Sequence, residues 1–185
     1  GTIGVLQEYA KKDSRIHILH TDKKSYGYQI NQGLQLASAE YIGIVETDDY
    51  IEPQMYERLF NIIDSEKVDY VKSEFDSFKV LKSGKRVFST FKSYGKSELY
   101  NQKICPREFR EVFLADSSIW RGIYRKFFLI EHGIKLSETS GAAYQDIGFV
   151  IQVIALAEKV IYVPESYYRY RLQRENSSSY SERAL

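Results

Sequence analysis

Apolar residues recur along the chain at two spacings, and each spacing predicts one kind of element. Within residues 2–12 they fall at helical intervals, which predicts an amphipathic helix at the start of the chain. Short apolar runs over 15–20 and 41–45 predict strands, and a helical repeat between them predicts a helix over 28–37. Strand, helix and strand within about thirty residues predict a βαβ unit with a right-handed crossover.

A second helix is expected directly after the strand at 41–45. Proline fits the first turn of a helix because an N–H at that position has no partner within the helix. Pro53 therefore predicts the helix start and assigns the N-cap to Glu52. The apolar stripe predicted for this helix consists of Met55, Leu59 and Ile62.

The middle of the chain has the pattern of a β-hairpin. Residues 68–80 and 85–91 are expected to be extended, and Ser83 with Gly84 supplies the turn between them. Lysines recur along both arms, and the simplest interpretation places them on the solvent face of the hairpin. These lysines are Lys72, Lys79, Lys82 and Lys85.

Shorter elements are expected towards the C terminus. The pattern predicts a loop over 93–107 and short helices over 108–114 and 126–132. Strands are expected over 119–124, 160–163 and 167–172, and a longer helix over 145–158. Gly133 is the expected stop signal of the second short helix. The longer helix is expected to bury Ile147, Val150, Ile151 and Ile154. The polar tail, about 176–185, is expected to be mobile, and residues 1–185 are expected to form a single α/β domain.

Composition narrows the function classes without choosing one. The chain has 26 basic and 25 acidic residues, a net charge of +1, which gives no electrostatic case for nucleic-acid binding. No apolar run approaches the length that spans a bilayer. The single cysteine, Cys105, cannot form an intrachain disulfide, which fits a reducing compartment and a cytoplasmic location.

Three carboxylates lie in the stretch VETDDYIEP, directly after the strand predicted at 41–45: Glu46, Asp48 and Asp49. Ligands of open α/β sheets bind beyond the carboxyl ends of strands, which is where these acids are expected. Helix capping does not explain them, because Pro53 assigns the cap to a later residue. A turn and a metal or ligand site both remain open from the residues alone. Hard oxygen ligands of this kind suit Mg²⁺ or Mn²⁺ held jointly with a substrate phosphate.

The stretch SYGYQINQGLQLASAEYIGIVETDDYIEPQMYERLF, residues 25–60, resembles the central segment of the family-two glycosyltransferases, an inverting group with a GT-A fold. The matching positions are Asn31, Gly33, Ala37, Tyr41, Asp48, Asp49 and Pro53. The resemblance implies a Rossmann-like mixed sheet flanked by helices. It also implies a nucleotide-sugar donor, with a UDP-sugar expected, and a divalent metal, Mn²⁺ or Mg²⁺.

The resemblance also implies roles for individual residues near the strand end. Asp48 is expected to contact the nucleotide ribose, and Asp49 to ligate the metal on the diphosphate. Asn31 and Glu46 are assigned to the donor side as well. Glu46 stands where the family usually has an aspartate, and its longer side chain is long enough to be expected at the nucleotide.

A second acid follows from two further stretches, SSIWRGIYRKFFLIEHGIKL and AAYQDIGF, which continue the resemblance. They imply that Asp146 is the general base that removes the proton of the acceptor hydroxyl. A structural role remains the alternative, because any acid in the first turn of a helix is stabilised by the helix dipole. Gln145 stands where the family usually has a glutamate, so that neighbour's contribution is altered here.

Four residues are candidates for contacts to the acceptor or the diphosphate. Trp120 suits a sugar ring and equally suits a core anchor, and Arg121 lies beside it. The stretch YYRYRLQREN resembles the tyrosine–arginine strand of the family. Its Arg171 and Arg174 have guanidinium groups shaped for diphosphate oxygens, with a solvated basic strand as the alternative.

The family's N-terminal βαβ segment, which forms much of the nucleobase pocket, is expected to lie upstream of Gly1 and to be absent. We therefore expect a truncated GT-A sheet, weak donor binding and exposed edges that favour self-association. The expected function is a metal-dependent inverting glycosyltransferase of bacterial surface polysaccharide synthesis, with a glycan or lipid-linked acceptor. A lipid-linked acceptor would place the protein at the inner membrane surface. The alternatives are a sugar nucleotidyltransferase, against which no glycine-rich phosphate loop is present, and a non-catalytic binding module.

Overall fold

Six helices and six strands make up the part of the chain that the computed structural model describes, residues 1–91, 97–142 and 144–172. The helices are α1 (Thr2–Lys12), α2 (Tyr26–Leu36), α3 (Met55–Glu66), α4 (Arg110–Ala115), α5 (Lys126–Glu131) and α6 (Gln145–Leu156). The strands are β1 (Tyr41–Gly43), β2 (Tyr50–Ile51), β3 (Tyr70–Val80), β4 (Arg86–Phe91), β5 (Gly122–Arg125) and β6 (Val160–Arg171). Two 3-10 turns span Ser97–Leu99 and Pro106–Glu108.

The strands form one mixed sheet in the order β1-β5-β3-β6-β2, with β4 pairing the distal half of β3. The long strands β3 and β6 run parallel at its centre, and the other pairs are antiparallel. This arrangement confirms the prediction of an α/β protein with a mixed sheet flanked by helices. It also confirms the hairpin of β3 and β4, which turns at Gly84 with a φ of +79°.

The core lies on both faces of the sheet because side chains alternate along a strand. Tyr70 packs with α6 on one face, and its neighbour Val71 packs with α3 on the other. On the α3 side the buried helix residues are Met55, Leu59 and Ile63. The structure therefore has three layers, and the loops at the ends of the strands are left to form a site.

The start of α3 differs from the prediction. The N-cap is Gln54, not Glu52, and Pro53 lies just before the helix. The buried stripe continues through Ile63, and Ile62 is only partly buried. The helix predictions at 2–12, 28–37, 108–114 and 126–132 are confirmed to within about two residues, and Gly133 ends α5 with a φ of +61°.

The strand predicted over 15–20 is wrong, and with it the right-handed βαβ unit. Ile16, Ile18 and Leu19 lie outside any strand and are exposed. A strand is stable only when a neighbour satisfies its backbone groups, and β1 pairs antiparallel with β5 instead. The apolar residues of this stretch therefore have no strand partner among the described residues.

Two further predictions in the C-terminal part are corrected. Helix α6 buries Phe149, Val150, Val153 and Ile154, whereas Ile147 and Ile151 are 38% and 51% exposed. The two strands predicted around Pro164 are one strand, β6. The proline is tolerated because the β3–β6 register shifts there, so that its missing N–H leaves no ladder bond unmade.

Lys72 is not on a solvent face. Its side chain is fully buried, and Nζ lies 2.6 Å from Asp116 Oδ2 and 2.9 Å from the carbonyl oxygen of Ser118. Burial lowers the pKa of Lys72 to about 8, against the opposing attraction of Asp116. The other three lysines of the hairpin, Lys79, Lys82 and Lys85, are exposed as predicted.

Helix α1 contains no buried residue, and Ile3, Val5, Leu6 and Tyr9 are between 43% and 58% exposed. No helix among the described residues has the length and apolar character needed to cross a bilayer. The predictions for the tail at 176–185 and for Arg174 fall outside the described residues.

Candidate functional site

The three carboxylates lie in a tight turn between β1 and β2. Ile44 is buried in the core just before the turn, and the N–H of Asp49 donates to the carbonyl oxygen of Glu46 at 3.2 Å. The turn that the sequence left open as one alternative is therefore present, and the metal or ligand site at the same residues stays a prediction. The turn brings the carboxylates of Glu46, Asp48 and Asp49 to one end of the sheet.

Strand β6 fixes the orientation of Asp49 from the other side of the turn. The hydroxyl of Tyr168 donates to Asp49 Oδ2 at 2.8 Å, and the backbone N–H of Arg171 donates to Asp49 Oδ1 at 2.8 Å. The same tyrosine oxygen accepts a hydrogen bond from the backbone N–H of Glu46 at 3.1 Å. The carboxylate turn is therefore held to β6 by side-chain and backbone bonds together.

Glu46 faces Tyr26, whose hydroxyl donates to the Glu46 carboxylate. Burial raises the pKa of Glu46, and the negative charges of Asp49, Asp48 and Asp146 act in the same direction, while the Tyr26 hydrogen bond opposes them. Burial is also the main reason that the pKa of Tyr26 is raised, with Glu46 and Asp146 adding to it. Glu46 is thus the carboxylate whose ionised form both its burial and the neighbouring acids disfavour.

Asp146 lies in the first turn of α6, next to Gln145, which bonds Gly27, the chain neighbour of Tyr26. Because Tyr26 bonds Glu46, the start of α6 lies close to the carboxylate turn, and the charge of Asp146 adds to the raised pKa of both Glu46 and Tyr26. Its Oδ1 accepts the N–H of Ile147 at 3.0 Å, and burial raises the pKa of the Asp146 carboxyl. Two segments about one hundred residues apart in the chain therefore contribute their carboxylates to one place. The sequence predicted this meeting only through the family resemblance.

Gln145 positions the start of α6. Its Oε1 accepts the backbone N–H of Gly27 at the start of α2, and its Nε2 donates to the carbonyl oxygens of Thr139 and Gly141 at 2.7 and 3.1 Å. A Cβ on Gly27 would lie 2.0 Å from the backbone oxygen of Ser137, so the close approach of α2 requires glycine. The amide of Gln145 therefore joins α6 to α2 and to the 139–141 segment by hydrogen bonds.

The carboxylates fit a metal that is held jointly with a substrate phosphate, and not a metal held by protein ligands alone. Within the described ranges no group of three or more His, Cys, Asp or Glu residues is arranged to hold a metal ion. Hydrogen bonds from the Tyr168 hydroxyl and the Arg171 N–H orient the Asp49 carboxylate, a group with about four lone-pair sites in all. Mg²⁺ commonly takes one or two protein carboxylates and completes its shell with substrate phosphates and water. The donor set suits that arrangement.

Trp120 belongs to an aromatic cluster beside the carboxylate turn. Its ring stacks on Tyr168 at 4.2 Å, lies parallel to Tyr170 at 5.4 Å and meets the edge of Phe75 at 5.0 Å. It is half-buried and lines a cavity of about 470 Å³ together with serines and aliphatic residues. Trp120 thus packs against the core and also borders a cavity, and its contact with a sugar ring stays a prediction.

Arg121 is placed differently from the prediction. Its side chain is 1% exposed and forms ion pairs with Asp116 at 3.1 Å and Glu74 at 3.3 Å. With Lys72 these residues make a buried, charge-balanced network of two cations and two anions. Arg121 therefore stabilises the interior through ion pairs and is not exposed to bind a diphosphate, as the prediction required.

Two other predicted residues contribute in other ways. The side chain of Arg171 is exposed, and its backbone N–H is the group that reaches Asp49. Asn31 is buried; its Nδ2 donates to the Leu136 carbonyl and to Glu138 Oε1, each at 3.0 Å, and its Oδ1 accepts the Leu136 N–H. Asn31 therefore joins α2 to the 136–138 segment, beside a cavity of about 430 Å³.

Sequence reasoning missed Tyr26 and Tyr168, which bond the carboxylates directly. The period of two in the β6 segment predicts that Tyr168 and Tyr170 share a face, but not what that face meets. Tyr168 and Glu46 are 122 residues apart, and no local pattern links them. The N-cap Ser25, which accepts the N–H of Tyr28 at 3.2 Å, was the local signal that marks where Tyr26 stands.

Comparison with known proteins gives a consistent result. The model of the family described as "Glycosyl transferase family 2" matches residues 1–128. The chain is 27% identical to the uncharacterized glycosyltransferase EpsJ of Bacillus subtilis over 96% of this chain and 50% of that protein. It is 26% identical to the cholesterol galactosyltransferase of Borreliella burgdorferi over 98% of this chain and 51% of that protein. The chain thus spans about half the length of these relatives.

The fold is similar to a solved structure as well. The crystal structure of S. aureus TarS 1-349 in complex with UDP-GlcNAc superposes with a TM-score of 0.73, at 18% identity, over 97% of this chain and 48% of that one. The likeness confirms the predicted GT-A architecture of a mixed sheet between helices.

Proposed function

This chain belongs to glycosyl transferase family 2, and we propose on that basis that it transfers a sugar from a nucleotide-sugar donor to an acceptor hydroxyl with inversion. The observation that carries the proposal is the pair of hydrogen bonds, Gln145 to Gly27 and Tyr26 to Glu46, that brings the start of α6 with Asp146 close to the carboxylate turn. The site thereby contains Asp49, whose carboxylate is oriented by hydrogen bonds, and Asp146, whose pKa is raised by burial.

The donor side is assigned to the carboxylate turn. TarS has been solved with UDP-GlcNAc and with UDP, which supports a UDP-sugar donor for a chain of the same fold. We assign Asp48 to the ribose and Asp49 to a divalent metal, Mn²⁺ or Mg²⁺. When bound, that metal neutralises the charge of the departing nucleoside diphosphate. Arg171, exposed at the end of β6, remains the described candidate for the diphosphate oxygens.

Asp146 is assigned as the base. In a direct displacement the acceptor oxygen forms a bond to the anomeric carbon while the bond from that carbon to the diphosphate oxygen breaks. The proton of the acceptor hydroxyl passes to the Asp146 carboxylate. Burial raises the pKa of Asp146, which makes its carboxylate a stronger base than an exposed aspartate at the pH where it is ionised.

The acceptor is assigned to the cavity beside Trp120. Its lining combines aromatic rings with Ser77, Ser117 and Ser118, a mixture that suits the apolar faces and hydroxyls of a sugar. The charge of Arg121, which borders the cavity, is balanced by Asp116 and Glu74, so a neutral group fits better than a phosphate. A glycan acceptor, free or lipid-linked, in bacterial surface polysaccharide synthesis is consistent with this lining.

Among the described strands β1 lies at an edge of the sheet, and this edge and the exposed apolar side chains of α1 support self-association as a further proposal. The single described cysteine, Cys105, is a free thiol, which fits a cytoplasmic location. A lipid-linked acceptor would bring the protein to the inner membrane surface.

Release of UDP from UDP-GlcNAc in the presence of Mn²⁺ and acceptor tests the proposal. Asp146→Asn should lower the rate about 100-fold or more because a general base contributes at least that factor. UDP binding should be retained. Glu158→Gln, an exposed acid just past the other end of α6, is the matched control and should leave the rate unchanged. Equal rates for Asp146→Asn and the wild type would refute the assigned base. UDP binding without turnover in the wild type would favour the non-catalytic module.

A further inference from the structure

We propose that Tyr168 is a positioning residue whose hydroxyl holds Asp49 and the backbone of Glu46 in the arrangement that a nucleoside diphosphate and its metal require. The inference deepens the proposed function and rests on it for the nature of the ligand. The contact between the tyrosine and the turn is a property of the protein alone.

The hydrogen-bond directions at the Tyr168 oxygen are fixed. The backbone N–H of Glu46 can only donate, so the tyrosine oxygen accepts at 3.1 Å. The single phenolic proton is then directed to Asp49 Oδ2 at 2.8 Å, because an ionised carboxylate can only accept. One hydroxyl therefore links the first and last carboxylate residues of the turn.

The ring that carries this hydroxyl cannot shift easily. Tyr168 is 0% exposed, and Trp120 stacks against it at 4.2 Å with an angle of 28° between the rings. The backbone is fixed as well, since Ile51 of β2 pairs with Tyr168 of β6. The packed ring and the paired backbone together set the position of the phenolic oxygen.

The fixed position of the Tyr168 hydroxyl determines the orientation of the Asp49 carboxylate. Tyr168 binds one carboxylate oxygen and the Arg171 N–H binds the other, so the plane of the carboxylate is fixed. The carboxylate is thereby presented in a defined direction, which is the condition for tight binding of a metal that takes few protein ligands. Without the hydroxyl, Asp49 Oδ2 loses this donor and the Glu46 N–H loses its acceptor.

Tyr168→Phe tests this with little change in shape. The matched control is Tyr41→Phe, which also removes a phenol–carboxylate hydrogen bond, the 3.1 Å contact to Asp64 beside α3. UDP is titrated with Mn²⁺ present into the wild type, both variants and Asp49→Ala. Tyr168→Phe should weaken binding at least tenfold, about 1.4 kcal/mol at 25 °C, whereas Tyr41→Phe should bind as the wild type does. Equal affinity for Tyr168→Phe and wild type would overturn the inference. Unweakened binding by Asp49→Ala would instead count against the proposed function.

A second measurement needs no ligand. The free energies of unfolding of Tyr168→Phe, Asp49→Ala and the double variant form a thermodynamic cycle with the wild type. The loss caused by Tyr168→Phe should be clearly smaller in the Asp49→Ala background, because the bond has already been removed there. Strictly additive losses would show that the hydroxyl does not act on Asp49, and would overturn the inference whether or not UDP binds.

Discussion

The side-chain oxygen of Gln145 accepts a hydrogen bond from the backbone N–H of Gly27, and this contact joins the start of α6 to the start of α2. The joint is close, since a side chain on Gly27 would collide with the backbone of Ser137. Both Tyr26 and Asp146 are immediate chain neighbours of the joined pair. The geometry of the candidate site therefore depends on how closely these two helix ends approach.

Gly27→Ala should destabilise the fold by about 1–3 kcal/mol because the added carbon has no room without a backbone shift. Gly33→Ala is the matched control in the same helix, where a Cβ meets nothing within 4 Å. That change should stabilise the protein by about 0.5–1 kcal/mol through helix propensity. Urea denaturation of both variants measures the difference. Equal stability of the two variants would show that the helix ends are not in close contact.

Glu46→Gln should stabilise the protein at neutral pH. Burial and neighbouring acids raise the pKa of Glu46 above its ordinary value of 4.5, so the folded state binds its proton more tightly than the unfolded state does. The group's contribution to stability is therefore fully present below pH 4.5 and is lost as the pH rises through the raised pKa. Glutamine keeps an oxygen for the Tyr26 hydroxyl and carries no charge.

Thermal unfolding across pH 4 to 8 checks this expectation. The variant's advantage in midpoint temperature should be largest near pH 8 and should shrink towards pH 4. A variant that is less stable than the wild type at every pH would contradict the electrostatic account of Glu46. A gain in stability on removing a buried charge is typical of residues that are kept for function.

The buried pair of Lys72 and Asp116 predicts a large effect from a small change. Asp116→Asn leaves the cations of Lys72 and Arg121 with less compensation in a dry interior, which should cost about 3–5 kcal/mol. The exposed pair of Lys12 and Glu8 is the comparison, and Glu8→Gln should change stability by less than about 0.5 kcal/mol. Denaturant midpoints of the two variants test the contrast, and a mild effect of Asp116→Asn would show that water reaches the network.

The sequence predicts what depends on local pattern. The spacing of apolar residues locates α1, α2, α3 and α6, and the position of the acids just past β1 predicts their place at the end of the sheet. The turn at Gly84 and the stop at Gly133 follow from the one residue type that adopts positive φ without strain.

What the sequence does not predict depends on partners that are distant in the chain. Residues 15–20 have the pattern of a strand, but a strand needs a neighbour, and β1 takes β5 instead. The sequence predicts Lys72 on the solvent face of the hairpin because no local pattern shows that Asp116, 44 residues later, lies beside it. Tyr168 reaches Asp49 across 119 residues for the same reason.

The central claim is that the turn carrying Asp48 and Asp49 binds a nucleoside diphosphate through a divalent metal. Calorimetric titration of the wild type with UDP, first with Mn²⁺ and then with excess EDTA, tests it most directly, with Asp49→Ala as the paired variant. The account predicts UDP binding that requires Mn²⁺ and is lost in Asp49→Ala. Binding that is unchanged by EDTA and by the substitution, or no binding under any of these conditions, would contradict it.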